Sequence, residues 1–180
     1  MPRHIAFLRA INVGGRFVTM DRLRKSFEEL GFDDVATFIA SGNVIFDTRS
    51  ASAPAIASKI EKAMRKALGY EVATFVRTDR ELAAIAAHQP FSAGDLQGAR
   101  AFVVGFLAEP LTAGAVRKLM ALGNAIDRFA VNNRELYWLS RQTQSGSTFS
   151  NALFERTLGV KSTFRGMKTI TRLAAKYPCK

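Results

Sequence analysis

The stretch Leu8-Arg9-Ala10-Ile11-Asn12-Val13-Gly14-Gly15-Arg16 sets two arginines, a carboxamide and a glycine pair between an apolar run and the start of a helical pattern. Glycines let neighbouring backbone N–H groups converge on an anion, and the start of a helix adds a positive dipole end. The spacing matches neither the dinucleotide fingerprint nor the P-loop, and no Lys-Ser/Thr pair follows it. A plain strand-to-helix connector is the alternative reading. A second group, Ser41-Gly42-Asn43, offers a hydroxyl, a glycine backbone and another carboxamide. With Arg9, Asn12, Gly14 and Gly15 these residues suit phosphate or carboxylate oxygens. The two asparagines could equally serve to tie down turns.

Residue sets for other chemistry are missing. His4 and His88 are the only histidines and lack metal-ligand spacing, so no metal site is expected, and no nucleophile-elbow pattern occurs. The single cysteine, Cys179, excludes an internal disulfide and a cysteine-rich metal site. Glu28-Glu29 and Asp33-Asp34 fall on the outer face or at the end of a predicted helix, where solvation is their simplest role, and Asp47 near the end of a strand is no better placed for acid–base work. Any catalysis would have to work through Arg, Asn, Ser or a metal carried in by substrate. No cofactor is identified, and whether the chain is an enzyme stays open.

The elements that would position these residues read as β-α-β-β-α-β in the first half. His4 to Ala10 is a strand, and Thr19 caps a helix whose Met20, Leu23, Phe27 and Leu30 share a face before Gly31 stops it. Val35 to Ala40 and Asn43 to Asp47 form a hairpin about Ser41-Gly42, where glycine supplies a positive φ. Ser52 and Pro54 open a second helix with Ile56, Ile60, Ala63, Met64 and Ala67 inward. Gly69 ends it ahead of the strand Glu71 to Val76. This order is that of a split-βαβ, ferredoxin-like unit. In such a unit the first and third strands are antiparallel neighbours, so Arg9, Asn12 and Gly14 should meet Ser41, Gly42 and Asn43 at one end of the sheet.

A short helix around Arg80 to Ala87 and a connector from His88 to Gly98 come next, and the pattern then repeats. Ala101 to Leu107 is a strand, Thr112 to Leu122 a helix ended by Gly123, and Ile126 to Val131 with Glu135 to Leu139 a hairpin around Asn132-Asn133. Leu23-Arg24-Lys25 answers Val116-Arg117-Lys118, Leu30-Gly31 answers Leu122-Gly123, and Phe38 answers Phe129, a duplication with a repeat of roughly 90 residues. Ser150 should cap a helix through Leu158, and Val160 to Phe164 should close the second sheet. A last amphipathic helix from about Gly166 to Tyr177 would carry Arg165, Lys168, Arg172 and Lys176 on one basic side. The expected fold is α+β, with ferredoxin-like halves at 1–78 and 101–180 and a helix and connector at 79–100.

With 48% hydrophobic and 23% charged residues the chain belongs among globular proteins, not disordered ones. No apolar stretch nears the ~18 residues that span a membrane, and the N-terminus lacks the form of a signal peptide, so a cytoplasmic location is expected. The net charge of +11 biases the chain toward anionic partners, though a basic surface also serves solubility. An RNA-recognition module shares this topology, but Ser41 to Phe46 offers only Phe46 for base stacking, and that residue reads as core. Trp138 beside Tyr137 also reads as core.

Ala6-Phe7-Leu8-Arg9-Ala10-Ile11-Asn12-Val13-Gly14-Gly15, the helix entry at Met20 with Leu23-Arg24, Leu30-Gly31-Phe32 and Thr37-Phe38-Ile39-Ala40-Ser41-Gly42-Asn43-Val44 resemble the bacterial family of uncharacterised proteins catalogued as domain of unknown function 1697. The resemblance implies a two-part α+β fold and no particular activity. The family usually shows Thr-x-Arg-Asn-Trp near the C-terminus. Here Thr163-Phe164-Arg165-Gly166-Met167 keeps the Thr and Arg and replaces the last two, and Ala10 stands where relatives tend to have Gly. The leading expectation is a binding module for an anionic ligand, a phosphate-containing small molecule or nucleic acid. Its site would comprise Arg9, Asn12, Gly14, Gly15, Ser41, Gly42 and Asn43, with Arg165 contributing. The alternatives are an enzyme acting on a phosphorylated or carboxylated substrate at that site, and a scaffold for an acidic protein partner.

Overall fold

The first strand, β1 (Arg3–Leu8), is apolar from Ile5 to Leu8 and buried along that length. It lies centrally, between β3 (Asn43–Asp47) and β4 (Thr74–Thr78), with β2 (Asp33–Thr37) outside β3. All three pairings are antiparallel, in the order β2-β3-β1-β4. Helices α1 (Met20–Glu29) and α2 (Ala53–Leu68) complete the β-α-β-β-α-β unit. They pack Leu23, Phe27, Ile56, Ile60 and Met64 onto Ala6, Leu8, Val44 and Phe46, an apolar stripe meeting one face of the sheet. Thr19 and Ser52 cap the two helices, accepting from the N–H groups of Arg22 and Ala55, and Gly69 ends α2 at φ 80°. The computed structural model describes residues 1–180.

The second sheet repeats the plan. β5 (Ala101–Phe106), α5 (Ala113–Ala121), β6 (Asp127–Asn132), β7 (Glu135–Ser140), α6 (Asn151–Leu158) and β8 (Thr163–Gly166) follow in the same order. The strands are again all antiparallel, in the order β6-β7-β5-β8. Trp138, Leu136, Phe149 and Phe154 form the core on its helical face. Between the two sets lie α3 (Asp79–Ala87) and α4 (Ala93–Gln97), and α7 (Met167–Lys176) closes the chain. The fold is α+β with two ferredoxin-like sheets, as the sequence leads one to expect. The chain divides into two compact units, residues 1–85 with 173–180, and residues 86–172. No helix is long and apolar enough to cross a membrane.

Hydrogen bonds align the halves more closely than residue types do. Leu8 donates its N–H to the carbonyl of Gly42, 2.8 Å away and one residue before β3, and Leu107 donates to Arg134, 3.0 Å away and one residue before β7. Phe7 then faces Asn43 as Phe106 faces Glu135, and Ile5 faces Arg77 as Val104 faces Arg165. Arg77 and Arg165 therefore hold equivalent positions. Each is buried, and each donates from Nη1 to the carbonyl of the residue before it at 2.9 Å.

Several sequence expectations need correction. β1 stops at Leu8, so Arg9 and Ala10 sit in a turn, because Ala10 takes φ 58° and leaves the extended region. Asp33 and Asp34 begin β2 instead of ending a helix, with a bulge between Asp33 and Ala36. β4 begins only at Thr74. The connector after α3 contains α4, announced by a capping box between Ser92 and Asp95 that the Pro and Gly content masked. Arg165 is not on the basic side of the last helix. It lies within β8, and α7 starts two residues later.

Candidate functional site

The loop after β1 carries an unusual run of left-handed backbone. Ala10, Asn12, Gly14 and Gly15 all have positive φ, at 58°, 58°, 59° and 79°. The last two are the central residues of a turn closed by Arg16 N–H to Val13 O at 3.2 Å, the geometry of the tight turns that want glycine at both positions. An added Cβ at either glycine would meet nothing within 4 Å, so the requirement there is for backbone sign, not for space. Ala10 has no such freedom. An alanine at this φ costs on the order of 1 kcal/mol, which the neighbouring structure must hold.

What holds it is Asn12. Its Nδ2 donates to Ala40 O across the gap to the hairpin at 3.0 Å, and its Oδ1 accepts from Val18 N–H at 2.7 Å. One side chain thus fixes the loop to the hairpin tip and to its own exit. Arg9 N–H, donating to Ala73 O at 2.9 Å, anchors the entrance. At the tip Gly42 has φ 79°, and a Cβ there would lie 3.1 Å from that of Ile11 and 3.2 Å from that of Leu8, so loop and turn are in close contact. Asn43 is fully buried and donates to Phe38 O and Ser41 Oγ, both at 2.9 Å. Its carboxamide closes the hairpin. Ile39, β-branched and exposed, is held at φ 52°, a further strained residue at this end of the sheet.

The loop and the hairpin tip therefore adjoin as the strand order requires. Asn12 and Asn43 spend their polar atoms on structure, and Gly14, Gly15 and Arg16 face solvent. Arg16 lies over the ring of Tyr70 with its guanidinium carbon 4.4 Å from the centroid. The Tyr70 hydroxyl is buried with no hydrogen-bond partner. Arg165 belongs to the second unit. Its Nη1 donates to Thr163 Oγ1 at 2.8 Å, and burial pushes its pKa down to about 10, which leaves it charged at neutral pH. No group of three or more His, Cys, Asp or Glu side chains is placed to hold a metal ion.

Sequence reasoning missed Phe17. It is 82% exposed at the end of the glycine loop, with Val13 at 54% and Ile39 at 44%. Phenylalanine content alone gives no reason to single it out, since most other phenylalanines here are core. The available signal was its position, directly after Gly-Gly-Arg and outside any apolar period.

Residues 1–137 match a family described as Protein of unknown function (DUF1697). The chain belongs to this family. No curated protein matches it. Among solved structures it is similar to conserved bacterial protein SP0830 from Streptococcus pneumoniae, at 21% identity with a TM-score of 0.75 over 98% of both chains. At that identity the likeness concerns the fold alone. In this DUF1697 protein the loop from Arg9 to Phe17 and the hairpin tip fall within the matched residues, whereas α6, β8 with Arg165, and α7 lie beyond them.

Proposed function

We propose that this protein binds a phosphate-bearing ligand at the loop and hairpin tip of its first unit, and that a single nucleic-acid strand suits the site better than a small molecule. The observation that carries the reading is Phe17, held 82% exposed beside Arg16 in a loop pinned by both polar ends of Asn12. Leaving an aromatic side chain in water forgoes about 1.5–3 kcal/mol of burial. An open aromatic next to cations is the arrangement that stacks a base while the backbone phosphates are neutralised. Arg9 and Arg16 flank the loop, and the left-handed residues at 10, 12, 14 and 15 can turn backbone N–H groups outward toward oxygens. The net charge of +11 favours the same class of partner. An exposed surface of this kind grips a strand passing over it, whereas a small ligand gains most from enclosure.

Fluorescence anisotropy with a labelled mixed-sequence single strand tests the reading. Binding should weaken steeply as salt rises. Phe17→Ala should cost ~1–3 kcal/mol in affinity, the value of one stacked base, while leaving the melting temperature unchanged. Excess inorganic phosphate that abolishes binding, with Phe17→Ala indistinguishable from the natural chain, would point to a simple anion site instead. No binding at low salt would end the proposal.

A further inference from the structure

The second unit contains a concavity that plays no part in strand binding at the first. A groove of about 660 Å³ runs between the start of α7 and the strand β5. Its walls carry three cations, Arg100, Lys168 and Arg172, and no carboxylate. Lys168, Thr171 and Arg172 stand at i, i+3 and i+4 on α7, so one helix face supplies two of the charges and a hydroxyl. The rest of the lining mixes apolar residues with the polar Thr143 and Gln144. Phe102 lies half-buried on the β5 side and Met167 stands at the start of α7, and the Phe102 ring meets Phe91 edge-on at 5.7 Å between centroids. Asp95, which precedes the lining residue Leu96, is engaged elsewhere. Its carboxylate accepts from Ser92 N–H and pairs with Arg128, and these interactions hold its pKa below the usual value.

We infer that this groove is a second, independent site for a small organic phosphate with a flat ring, of nucleoside-monophosphate size. Three arguments converge on that occupant. Its volume lies within the range of ordinary small-ligand pockets, about 300–1,000 Å³. Cations of one sign gathered in a concave wall favour an anion more strongly than they would on an open face. The aromatic ring of Phe102 and the thioether of Met167 in the same lining offer a surface for a planar ring, which a bare inorganic ion would leave unfilled. Its shape also distinguishes it from the loop of the first unit, since a groove accepts a small molecule where a protruding Phe17 suits a strand.

The test is amide-shift mapping by NMR on the full ¹⁵N-labelled chain, titrated with adenosine monophosphate and separately with inorganic phosphate. The nucleotide should move the amide signals of Lys168, Thr171 and Ala101 in a saturable way, and phosphate at equal concentration should move them far less. Lys168→Glu, at an exposed position and with an otherwise unchanged spectrum, should weaken nucleotide binding at least tenfold. Shifts confined to residues 9–17 would overturn the groove and leave the first-unit reading standing. Equal shifts with phosphate alone would overturn the flat-ring assignment, and an unshifted groove at saturating nucleotide would overturn the site altogether.

Discussion

Leu8 and Leu107 close their sheets in the same manner, and immediately beyond them the two units part. The first spends residues 9–18 on a loop with four left-handed residues before the Thr19 cap, while the second reaches its Thr112 cap through residues 108–111. The second unit uses polar side chains to tie down later connections. Asp127 accepts from Trp138 Nε1 at 2.8 Å and from Ser147 Oγ, and Asn151 and Glu155 tie α6 to Ser162 ahead of β8. Both copies bury polar side chains, Asn43 and Arg77 in the first and Asp127 and Arg165 in the second, and they differ in the connection that leaves the central strand. The difference teaches that the ladder tolerates little change, whereas the connection leaving β1 or β5 is free to acquire a site.

The sharpest way to break this correspondence is at its two buried arginines. Arg77→Ala and Arg165→Ala should each cost on the order of 3 kcal/mol, since each removes a buried side chain and its hydrogen bonds to carbonyl oxygen. Urea unfolding of the two variants measures it. If Arg165→Ala proves near neutral while Arg77→Ala does not, the two positions are equivalent in geometry only.

A smaller effect distinguishes His4 from Val103, which occupy matching places opposite Phe46 and Trp138. Burial lowers the pKa of His4 from its ordinary value of 6.5, against a raising hydrogen bond to Pro2 O and the pull of Asp79, Glu81 and Asp47. The unfolded chain then binds the proton more readily than the folded one. Stability present above pH 6.5 is lost as pH falls through the depressed folded value. Melting temperatures at pH 7.5 and 5.5 should show a drop for the natural chain and a smaller one for His4→Val. An equal drop in both would remove His4 as the cause.

The smallest change should be Ala10→Gly, which relieves the left-handed alanine and gives back part of the gain as unfolded-chain entropy. A net stabilisation of about 0.5 kcal/mol is expected. Thermal unfolding would show it as a slight rise, and a fall would mean that the alanine methyl contributes packing.

Strand order was legible because the apolar runs, the caps at Thr19, Ser52, Thr112 and Ser150, and the glycine stops all agree on one plan. Boundaries slipped where backbone sign, which sequence does not display for Ala10 or Asp34, ended or bent a strand. The adjacency of Asn12 and the hairpin tip followed from topology. The roles of the side chains did not, because Asn12 and Asn43 can bind or brace and only their partners decide. Arg165 was misplaced because its spacing from Lys168 and Arg172 suits a helix, and residue spacing does not reveal that β8 runs directly into α7.

Trp138 is the chain's one tryptophan, wholly buried in the second unit with its indole N–H held by Asp127. Tryptophan emission therefore watches only half of the molecule, while circular dichroism in the peptide region sees all of it. Melting curves followed by the two signals will superimpose if both sheets come apart together. Divergent curves would mean that one sheet outlives the other, and Trp138 would then identify which.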